Sequence, residues 1–364
     1  MKLSPKTRRN ISRIIPFSVI WWLIGVVNII SEIGLTRNQN VNPDTDIAFT
    51  VPVLIFANIA NIIVGGIVGL LEVVYLERRF VNYSLRSKFF YKFIIYLCLF
   101  ILVVVVFYPI AFFVSNDYDT IGLGAKLGRF LTSISFLTTL FQLTVSLSAS
   151  LIYSAVSENL GHHVFLNFFT GKYHRPVIEK RIFMFLDMKS STTIAEALGH
   201  VKYFKLLQKY YNIMSDPIIN SYGEVYQYIG DEIVISWSME TGLSNSNCVK
   251  CFFDIQNQLK KYQNALRSEF GFEIGFKAGI HFGEVTIGEI GALKKEIVFT
   301  GDVLNTTARI QNQCNALNAD LLISGELKDL LLQNSYVFMT KGKIDLKGRE
   351  KQEELFEVVM AEKV

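Results

Sequence analysis

Four long apolar stretches, separated by short polar segments, fill the first 155 residues of the chain. A helix needs roughly 20 consecutive apolar residues to cross the hydrocarbon layer of a bilayer, which is about 30 Å thick. Each stretch reaches that length, so the pattern predicts a four-helix transmembrane domain over residues 1–155. The spans are predicted near residues 14–33, 51–75, 93–114 and 130–155.

Basic residues are distributed unequally between the two sides of the predicted spans. Cytoplasmic segments of membrane proteins carry an excess of Lys and Arg. The N-terminus and the loop between the second and third spans are basic, whereas the other two loops are poorer in basic residues and carry aspartates. We therefore predict a multi-pass protein of the cell membrane, with its N-terminus and C-terminal half in the cytoplasm. The basic residues are Lys2, Lys6, Arg8, Arg9 and Arg13 at the N-terminus, and Arg78, Arg79, Arg86, Lys88 and Lys92 in the loop.

The overall composition agrees with a membrane-anchored protein. Of the 364 residues, 51% are hydrophobic and 19% are charged, and the mean hydropathy is +0.33. The net charge is +4 and the sequence has no long basic tract, so we expect no nucleic-acid partner. Cys248 and Cys251 form a CxxC pair, but no second CxxC follows and the segment has helical character. That context favours two core-facing cysteines over a zinc site.

A helical linker is predicted over residues 156–180, between the last span and the soluble part. Apolar residues recur there at four-residue steps, so the last membrane helix is expected to continue beyond the bilayer. Gly171 and Pro176 are expected to end it. The apolar stripe could pair with its copy in a second chain. Its members are Val156, Leu160, Val164 and Phe168.

The C-terminal half, residues 181–364, alternates strand-like and helix-like segments. Hairpins mixed with helices predict an α+β sandwich with helices on one face of a mainly antiparallel sheet. Gly230-Asp231 and Gly283 are the predicted turns of two hairpins. The predicted strands are Arg181–Asp187, Glu224–Ile229, Glu232–Trp237, Phe272–His281, Glu284–Glu289, Ile297–Thr300, Leu321–Ser324, Tyr336–Lys341 and Glu353–Val359. The predicted helices are Thr192–Ile219, interrupted near Gly199, Asn247–Leu266 and Val303–Asn315.

Two aspartates in this half occupy positions suited to a metal-phosphate site. Asp187 ends an apolar strand just before a helix, where free N–H groups favour a phosphate. Asp231 lies in the tight turn between two strands. If those strands are neighbours in the sheet, the two carboxylates converge and offer hard oxygen ligands for magnesium. A helix cap for Asp187 and a plain turn residue for Asp231 remain alternatives on position alone.

The segment from about Arg181 to Val359 resembles the catalytic domain of class III adenylyl and guanylyl cyclases. FLDMKSST resembles the first metal motif of that family, and Asp231 follows Asp187 by the family's spacing of 44 residues. Three further motifs follow in order: GIHFGEVTIGEIG resembles the Gly-rich hairpin, GDVLNTTARI the Asn-to-Arg helix, and DLKGRE the C-terminal lysine turn. The resemblance implies a ferredoxin-like α+β nucleotidyl cyclase domain, which we expect to extend over residues 181–364.

The resemblance also implies roles for the metal-site residues. Asp187 and Asp231 would hold two Mg²⁺ or Mn²⁺ ions, with the backbone carbonyl of Met188 as a further ligand. The metal ions would activate the ribose 3′-hydroxyl and bind the triphosphate. The expected reaction converts ATP to 3′,5′-cyclic AMP and pyrophosphate.

Three further residues have roles by the same resemblance. Asn305 would orient the ribose, Arg309 would stabilise charge that develops on the α-phosphate, and Lys347 would hold the terminal phosphates. In the family, the metal-binding residues come from one protomer, and the Asn and Arg come from the other. A homodimer with two equivalent sites is therefore expected, formed through the catalytic domain, the linker and the membrane helices.

The residues that read the base depart from the family pattern. Gln227 stands where adenylyl cyclases carry Lys and guanylyl cyclases carry Glu, and Val298 stands where Asp or Thr is expected for adenine. Because Val cannot hydrogen-bond a base, we predict that Gln227 and Thr300, two residues along the strand from Val298, read it. ATP is favoured, since adenylyl cyclases are frequent among such membrane chains.

Three alternative functions remain at the level of sequence. A guanylate cyclase would share the mechanism and differ in the base. A non-catalytic nucleotide-binding receptor module would have lost a metal-binding Asp, the Asn or the Arg, and this chain retains all four residues. A diguanylate cyclase is suggested by IGDEI, but the turn has a single Gly and the chain carries the Asn-to-Arg helix.

Overall fold

The computed structural model describes residues 4–36, 50–80, 83–115, 123–160, 171–293, 295–331, 336–346 and 352–361. The chain divides into two compact units. The first comprises Thr7–Leu166, and the second comprises Asn167–Val364 together with Met1–Lys6.

The N-terminal unit is helical. Among its described residues, four helical stretches are long and apolar enough to cross a membrane: Pro5–Ser31, Val51–Leu76, Arg86–Val114 and Phe136–Glu158. They overlap the four apolar stretches of the sequence, which is consistent with a membrane domain. The helices are α1 (Pro5–Thr36), α2 (Val51–Leu70), α3 (Glu77–Arg79), α4 (Leu85–Ser115), α5 (Leu123–Leu131) and α6 (Ile134–Leu160), with a π-helical segment (Leu71–Leu76) between α2 and α3.

Close contact between α1 and α2 depends on small residues. A Cβ added to Gly65 would lie 2.8 Å from the Cβ of Trp21 and 2.9 Å from the carbonyl oxygen of Phe17. Both aromatic side chains are fully buried. In lipid, helices associate through such close packing because no hydrophobic force drives them together.

The C-terminal unit is an α+β domain built on one mixed sheet. The strand order is β2-β3-β1-β4-β6-β8-β7, and β5 pairs with β4. The β4 and β6 strands are parallel, and the other neighbouring pairs are antiparallel. The strands are β1 (Val177–Met188), β2 (Glu224–Ile229), β3 (Glu232–Ser238), β4 (Phe276–Ile290), β5 (Glu296–Thr300), β6 (Leu321–Ser324), β7 (Tyr336–Ile344) and β8 (Glu353–Met360). The helices are α7 (Ser191–Asn220), α8 (Met239–Leu243), α9 (Asn247–Phe270), α10 (Asp302–Ala316) and α11 (Gly325–Leu330), and a 3₁₀ turn covers Ser244–Ser246.

The helices cover both faces of the sheet, so the prediction that they lie on one face is wrong. Residues of α7 and α9 share a buried cluster with Met184 of β1, and Val303 of α10 shares another with Phe183. Successive side chains of a strand point to opposite faces. The central strand is therefore buried on both sides. Cys248 and Cys251 lie fully buried in the first cluster, and burial raises the pKa of both thiols to about 12.

The predicted turn at Gly283 is also wrong, because Gly283 lies inside the long strand β4. This strand pairs with β1 without interruption from Phe276 to Ile287, and Gly283 lies opposite Arg181. A Cβ on Gly283 would lie 3.0 Å from the Cβ of Val303, and one on Gly279 would lie 2.4 Å from the backbone nitrogen of Gln311. The two glycines permit close packing of α10 on the sheet, and they do not form a turn.

Candidate active site

Asp187 lies at the C-terminal end of β1, two residues before that strand passes into the turn that starts α7. Its side chain is half-buried, on the sheet face that carries α10. The Nζ of Lys277 lies 3.4 Å from one carboxylate oxygen. The side-chain amide of Gln311 donates a hydrogen bond of 3.2 Å to the same oxygen. The sequence pattern indicates Asp187 but neither of these two partners.

Asp231 occupies the turn between β2 and β3, and it reaches Asp187 because β3 and β1 are neighbours in the sheet. The strands that carry the two aspartates are therefore neighbours, as convergence of the two carboxylates requires. Burial, a hydrogen bond to Asp231 and the charge of Asp231 all raise the pKa of Asp187, and Lys277 partly offsets the rise. Two carboxylates in contact repel each other unless a proton or a cation lies between them.

Two further ionisable side chains, Glu232 and Tyr203, interact with the charges of the two aspartates. Glu232 follows Asp231 and is half-buried, and burial together with the charges of Asp187 and Asp231 raises its pKa to about 7. The pKa of Tyr203 on α7 is also raised by burial and by the same two aspartates. A cation beside these groups would favour their ionised forms.

The donor set at this position fits a hard divalent cation. Asp187 and Asp231 offer carboxylate oxygens, which magnesium and manganese prefer. Met188 follows Asp187 and is 2% exposed, and its soft thioether is not a ligand that these cations prefer. Among the described residues, no three His, Cys, Asp or Glu side chains are grouped to hold a metal. A cation here would need further oxygens from water or from a bound phosphate.

Tyr211 of α7 holds the turn that carries Asp231. Its hydroxyl donates to the carbonyl of Gly230 at 2.7 Å and lies 3.3 Å from the carbonyl of Glu232. Its ring also contacts Tyr228 of β2, with centroids 4.5 Å apart. No sequence motif indicates Tyr211, because a contact between a helix and a distant turn leaves no local pattern.

Asn305 and Arg309 lie on a different face of α10 from the one that contacts Asp187. Gln311, which bonds Asp187, follows Arg309 by two residues, about 200° around the helix. Asn305 is exposed and Arg309 is half-buried, and the Nη1 of Arg309 is buried without a hydrogen-bond partner among the described residues. One chain thus brings the two aspartates together but directs the Asn and Arg elsewhere.

The other predicted substrate-binding residues lie on strands away from the aspartate pair. Gln227 is exposed on β2. Val298 and Thr300 lie on β5, the first half-buried and the second exposed. The two strands are not neighbours in the sheet. Lys347 lies outside the described residues.

Comparison with known families assigns this domain. The family described as Adenylate and Guanylate cyclase catalytic domain matches residues 176–358, which is half of the 364 residues. The chain belongs to this family.

Individual relatives agree with that assignment. "Adenylate cyclase 2" of Rhizobium meliloti (strain 1021) is 35% identical over 53% of this chain and 54% of its own length. "Adenylate cyclase 1" of the same organism is 26% identical over 48% of this chain and 27% of its own length. The chain thus spans about half or less of these relatives. A solved structure of a bacterial light-regulated adenylyl cyclase has the same fold, with a TM-score of 0.54 and 20% identity over 63% of this chain and 67% of that one.

Proposed function

We propose that the chain is a membrane-bound adenylate cyclase that converts ATP to 3′,5′-cyclic AMP and pyrophosphate. The contact between the Asp187 and Asp231 carboxylates carries this proposal. Such a pair is suited to divalent cations and phosphates. The family and its adenylate cyclase members support the reaction.

We assign the metal site to Asp187, Asp231 and the backbone carbonyl of Met188, as ligands of two Mg²⁺ or Mn²⁺ ions. When bound, the ions lower the pKa of the ribose 3′-hydroxyl and neutralise charge on the triphosphate. The carboxylates hold the cations against the sheet edge. Tyr211 keeps the turn of Asp231 in place, and Lys277 balances charge beside Asp187.

Asn305, Arg309 and Lys347 act on the substrate in this proposal. Asn305 orients the ribose so that its 3′-oxygen faces the α-phosphorus in line with the leaving pyrophosphate. Arg309 supplies positive charge to the α-phosphate as the bond to pyrophosphate breaks. The Nη1 of Arg309 has no hydrogen-bond partner among the described residues, which supports this assignment, because a buried donor without a partner is costly unless a ligand satisfies it. Lys347 holds the terminal phosphates.

The active unit in this proposal is a homodimer. Within one chain Arg309 does not share the face of α10 that contacts Asp187, so a complete site takes Asp187 and Asp231 from one protomer and Asn305 and Arg309 from its partner. A two-fold axis then creates two equivalent sites. The linker and the membrane helices are assigned to the same dimer interface.

The proposed organisation places catalysis in the cytoplasm. Residues 1–155 form the membrane domain, residues 156–180 the linker and residues 181–364 the catalytic domain. The excess of Lys and Arg on the N-terminus and on the loop between spans two and three supports a cytoplasmic catalytic domain. ATP is then available to the site without transport.

The purified full-length chain in detergent tests the reaction directly. With Mn²⁺ and ATP, we expect cyclic AMP and pyrophosphate in equal amounts, and slower turnover of GTP. Faster turnover of GTP would make the protein a guanylate cyclase with the same mechanism. Nucleotide binding without turnover of either substrate would contradict the enzymatic proposal and favour a receptor module.

Thr300→Ala is expected to alter the choice of base. The exposed Thr300 hydroxyl can donate to or accept from a purine edge, and alanine cannot. Loss of such a bond costs about 0.5–1.5 kcal/mol, so the ratio of kcat/KM for ATP and GTP should change about two- to tenfold. Thr340→Ala, the same substitution at an exposed position of β7, is the matched control. An unchanged ratio in Thr300→Ala would refute the role of Thr300 in base selection.

Tyr211→Phe is expected to weaken metal binding while leaving the fold intact. The ring contact with Tyr228 remains, but the hydrogen bond to the carbonyl of Gly230 is lost. A net loss of about 1 kcal/mol should raise the Mn²⁺ concentration for half-maximal activity by about fivefold. Tyr262→Phe, at an exposed position of α9, is the matched control. Equal metal dependence in Tyr211→Phe and wild type would exclude this positioning role.

A further inference from the structure

Strand β2 contains a β-bulge at Tyr226. Val225 pairs with Ile235 and Gln227 pairs with Val234. Since Ile235 and Val234 are consecutive residues of β3, Tyr226 is the extra residue of the bulge on β2. A bulge interrupts the regular alternation of side chains and re-aims those beside it. Bulges occur frequently next to active sites, and this one immediately precedes Gln227.

The ring of Tyr226 joins β2 to β5, although the two strands are not neighbours in the sheet. It lies parallel to the ring of Phe299, with centroids 4.5 Å apart and an interplanar angle of 0°. The backbone N–H of Phe299 also donates a hydrogen bond of 3.2 Å to the Tyr226 hydroxyl. Since β5 pairs with β4 on its other side, this hydroxyl satisfies a donor at the open edge of β5.

The ring of Phe299 packs against buried side chains of β1. The guanidinium carbon of Arg181 lies 5.4 Å from its ring centroid, and the ring of Phe183 meets it edge-on at 5.9 Å. Arg181 is itself 6% exposed and donates to Glu224 at 2.6 Å and to Ser236 at 3.1 Å. The contact of Tyr226 with Phe299 is therefore part of a packed cluster on this face of β1.

The two residues proposed to read the base, Gln227 and Thr300, are chain neighbours of Tyr226 and Phe299. Gln227 directly follows Tyr226, and Thr300 directly follows Phe299. Alternation along β5 directs Val298 and Thr300 away from the side on which Phe299 packs. The separation between Gln227 and Thr300 thus depends on the contact between Tyr226 and Phe299, because the sheet does not pair the two strands directly.

We propose that Tyr226 is a positioning residue for nucleobase selection, which sets the distance between Gln227 and the strand that carries Val298 and Thr300. The inference rests on the proposed function, since it concerns the base-binding part of that same site. Tyr226 does not need to touch the nucleotide. Its ring and hydroxyl act through the two strands that they hold together.

Kinetics of the full-length chain in detergent test the proposal, with Tyr226→Phe and Tyr226→Leu measured against ATP and GTP. Tyr226→Phe keeps the stacked ring and loses the bond to the Phe299 amide, so KM is expected to rise about two- to threefold, the lower end of what one neutral hydrogen bond contributes. Tyr226→Leu loses both contacts, so KM for the preferred nucleotide should rise about tenfold and the ATP/GTP ratio of kcat/KM should move toward one. In both variants kcat should change less than about twofold, because the metal and phosphate residues are untouched.

The matched controls are Tyr262→Phe and Tyr262→Leu, which make the same chemical changes at an exposed position on α9. Neither should alter KM or the base ratio. A loss of kcat in Tyr226→Leu with an unchanged KM and base ratio would overturn the proposal and assign Tyr226 a general structural role. Wild-type kinetics in all Tyr226 variants would overturn it as well.

Equilibrium binding of ATP and GTP separates failure of this inference from failure of the proposed function. If the wild-type chain binds nucleotides without turnover, the cyclase proposal fails, and the ratio of the two dissociation constants still reports base selection. That ratio is expected to move toward one in Tyr226→Leu and to stay at the wild-type value in Tyr262→Leu. Equal ratios in wild type and Tyr226→Leu would contradict the positioning role.

Discussion

Asp231→Ala should abolish cyclic nucleotide production by the full-length chain, with a loss of about 10³-fold or more in kcat. The Asp231 carboxylate lies in contact with that of Asp187, and both are assigned as ligands of the same metal ions. With one carboxylate left, the triphosphate and the 3′-hydroxyl are no longer held around a common cation. The measurement is cyclic AMP formation with saturating Mn²⁺ and ATP, and Asp329→Ala at an exposed position of α11 is the control.

Thermal unfolding distinguishes this loss from misfolding. Without metal, Asp231→Ala should unfold at a temperature equal to or above that of wild type, because the substitution removes a like charge beside Asp187. Mn²⁺ should raise the unfolding temperature of wild type and leave that of Asp231→Ala unchanged, since a ligand stabilises only the state that binds it. Activity that survives Asp231→Ala would refute the two-aspartate mechanism.

The Arg309→Ala chain and the Asp231→Ala chain should each be inactive alone, and dimers that contain one chain of each kind should be active. Co-expressed at equal levels, the two chains are expected to recover about a quarter of wild-type activity, because half of the random dimers are mixed and each mixed dimer keeps one complete site. The reason lies in α10, where Gln311 contacts Asp187 and Arg309 faces another direction. Cyclic AMP formation by the co-purified pair, with a different tag on each chain, measures this recovery.

The pairing of Asp187→Ala with Asp231→Ala is the matched control for complementation. Both substitutions damage the same half of the proposed shared site, so a mixed dimer contains no complete site and no recovery is expected. If the Arg309→Ala and Asp231→Ala pair also fails to recover, the catalytic Asn and Arg are not contributed by a partner chain. Recovery in the control pair would equally contradict the assignment of Asp187 and Asp231 to one site.

Much of the fold could be predicted from local sequence patterns. The strand Leu321–Ser324 was predicted with the bounds that the structure has, and Gly199 has a positive φ of 68° where an interruption of α7 was expected. The four apolar stretches correspond to the four long helices. These features depend on the hydropathy pattern and the glycine positions within one short segment, so that segment alone is enough to predict them. The turn predicted at Gly283 is wrong because a glycine required for the packing of α10 and a glycine required for a turn look the same in the sequence.

The candidate site divides in the same way. Asp187 and Asp231 were identifiable because one ends an apolar strand and the other lies in a two-strand turn, and the motifs around them resemble a known family. Tyr211 was not identifiable, because its hydroxyl reaches Gly230 across 19 positions of sequence. The same holds for Gln311, which reaches Asp187 across 124 positions. Contacts of that kind depend on how elements pack, and packing has no local sequence signature.

The sequence by itself determined the membrane helices, the α+β class of the C-terminal half and the two aspartates, because hydrophobic periodicity and motif spacing act over short distances along the chain. Only the tertiary structure decided which face of the sheet α10 covers, which side chains surround Asp187, and how Tyr226 links β2 to β5. Those outcomes depend on strand order and on close approach at Gly279 and Gly283, where a Cβ would collide with α10. They are properties of the packed chain, because such contacts contribute free energy only when segments far apart in the sequence pack closely and remove their surfaces from water.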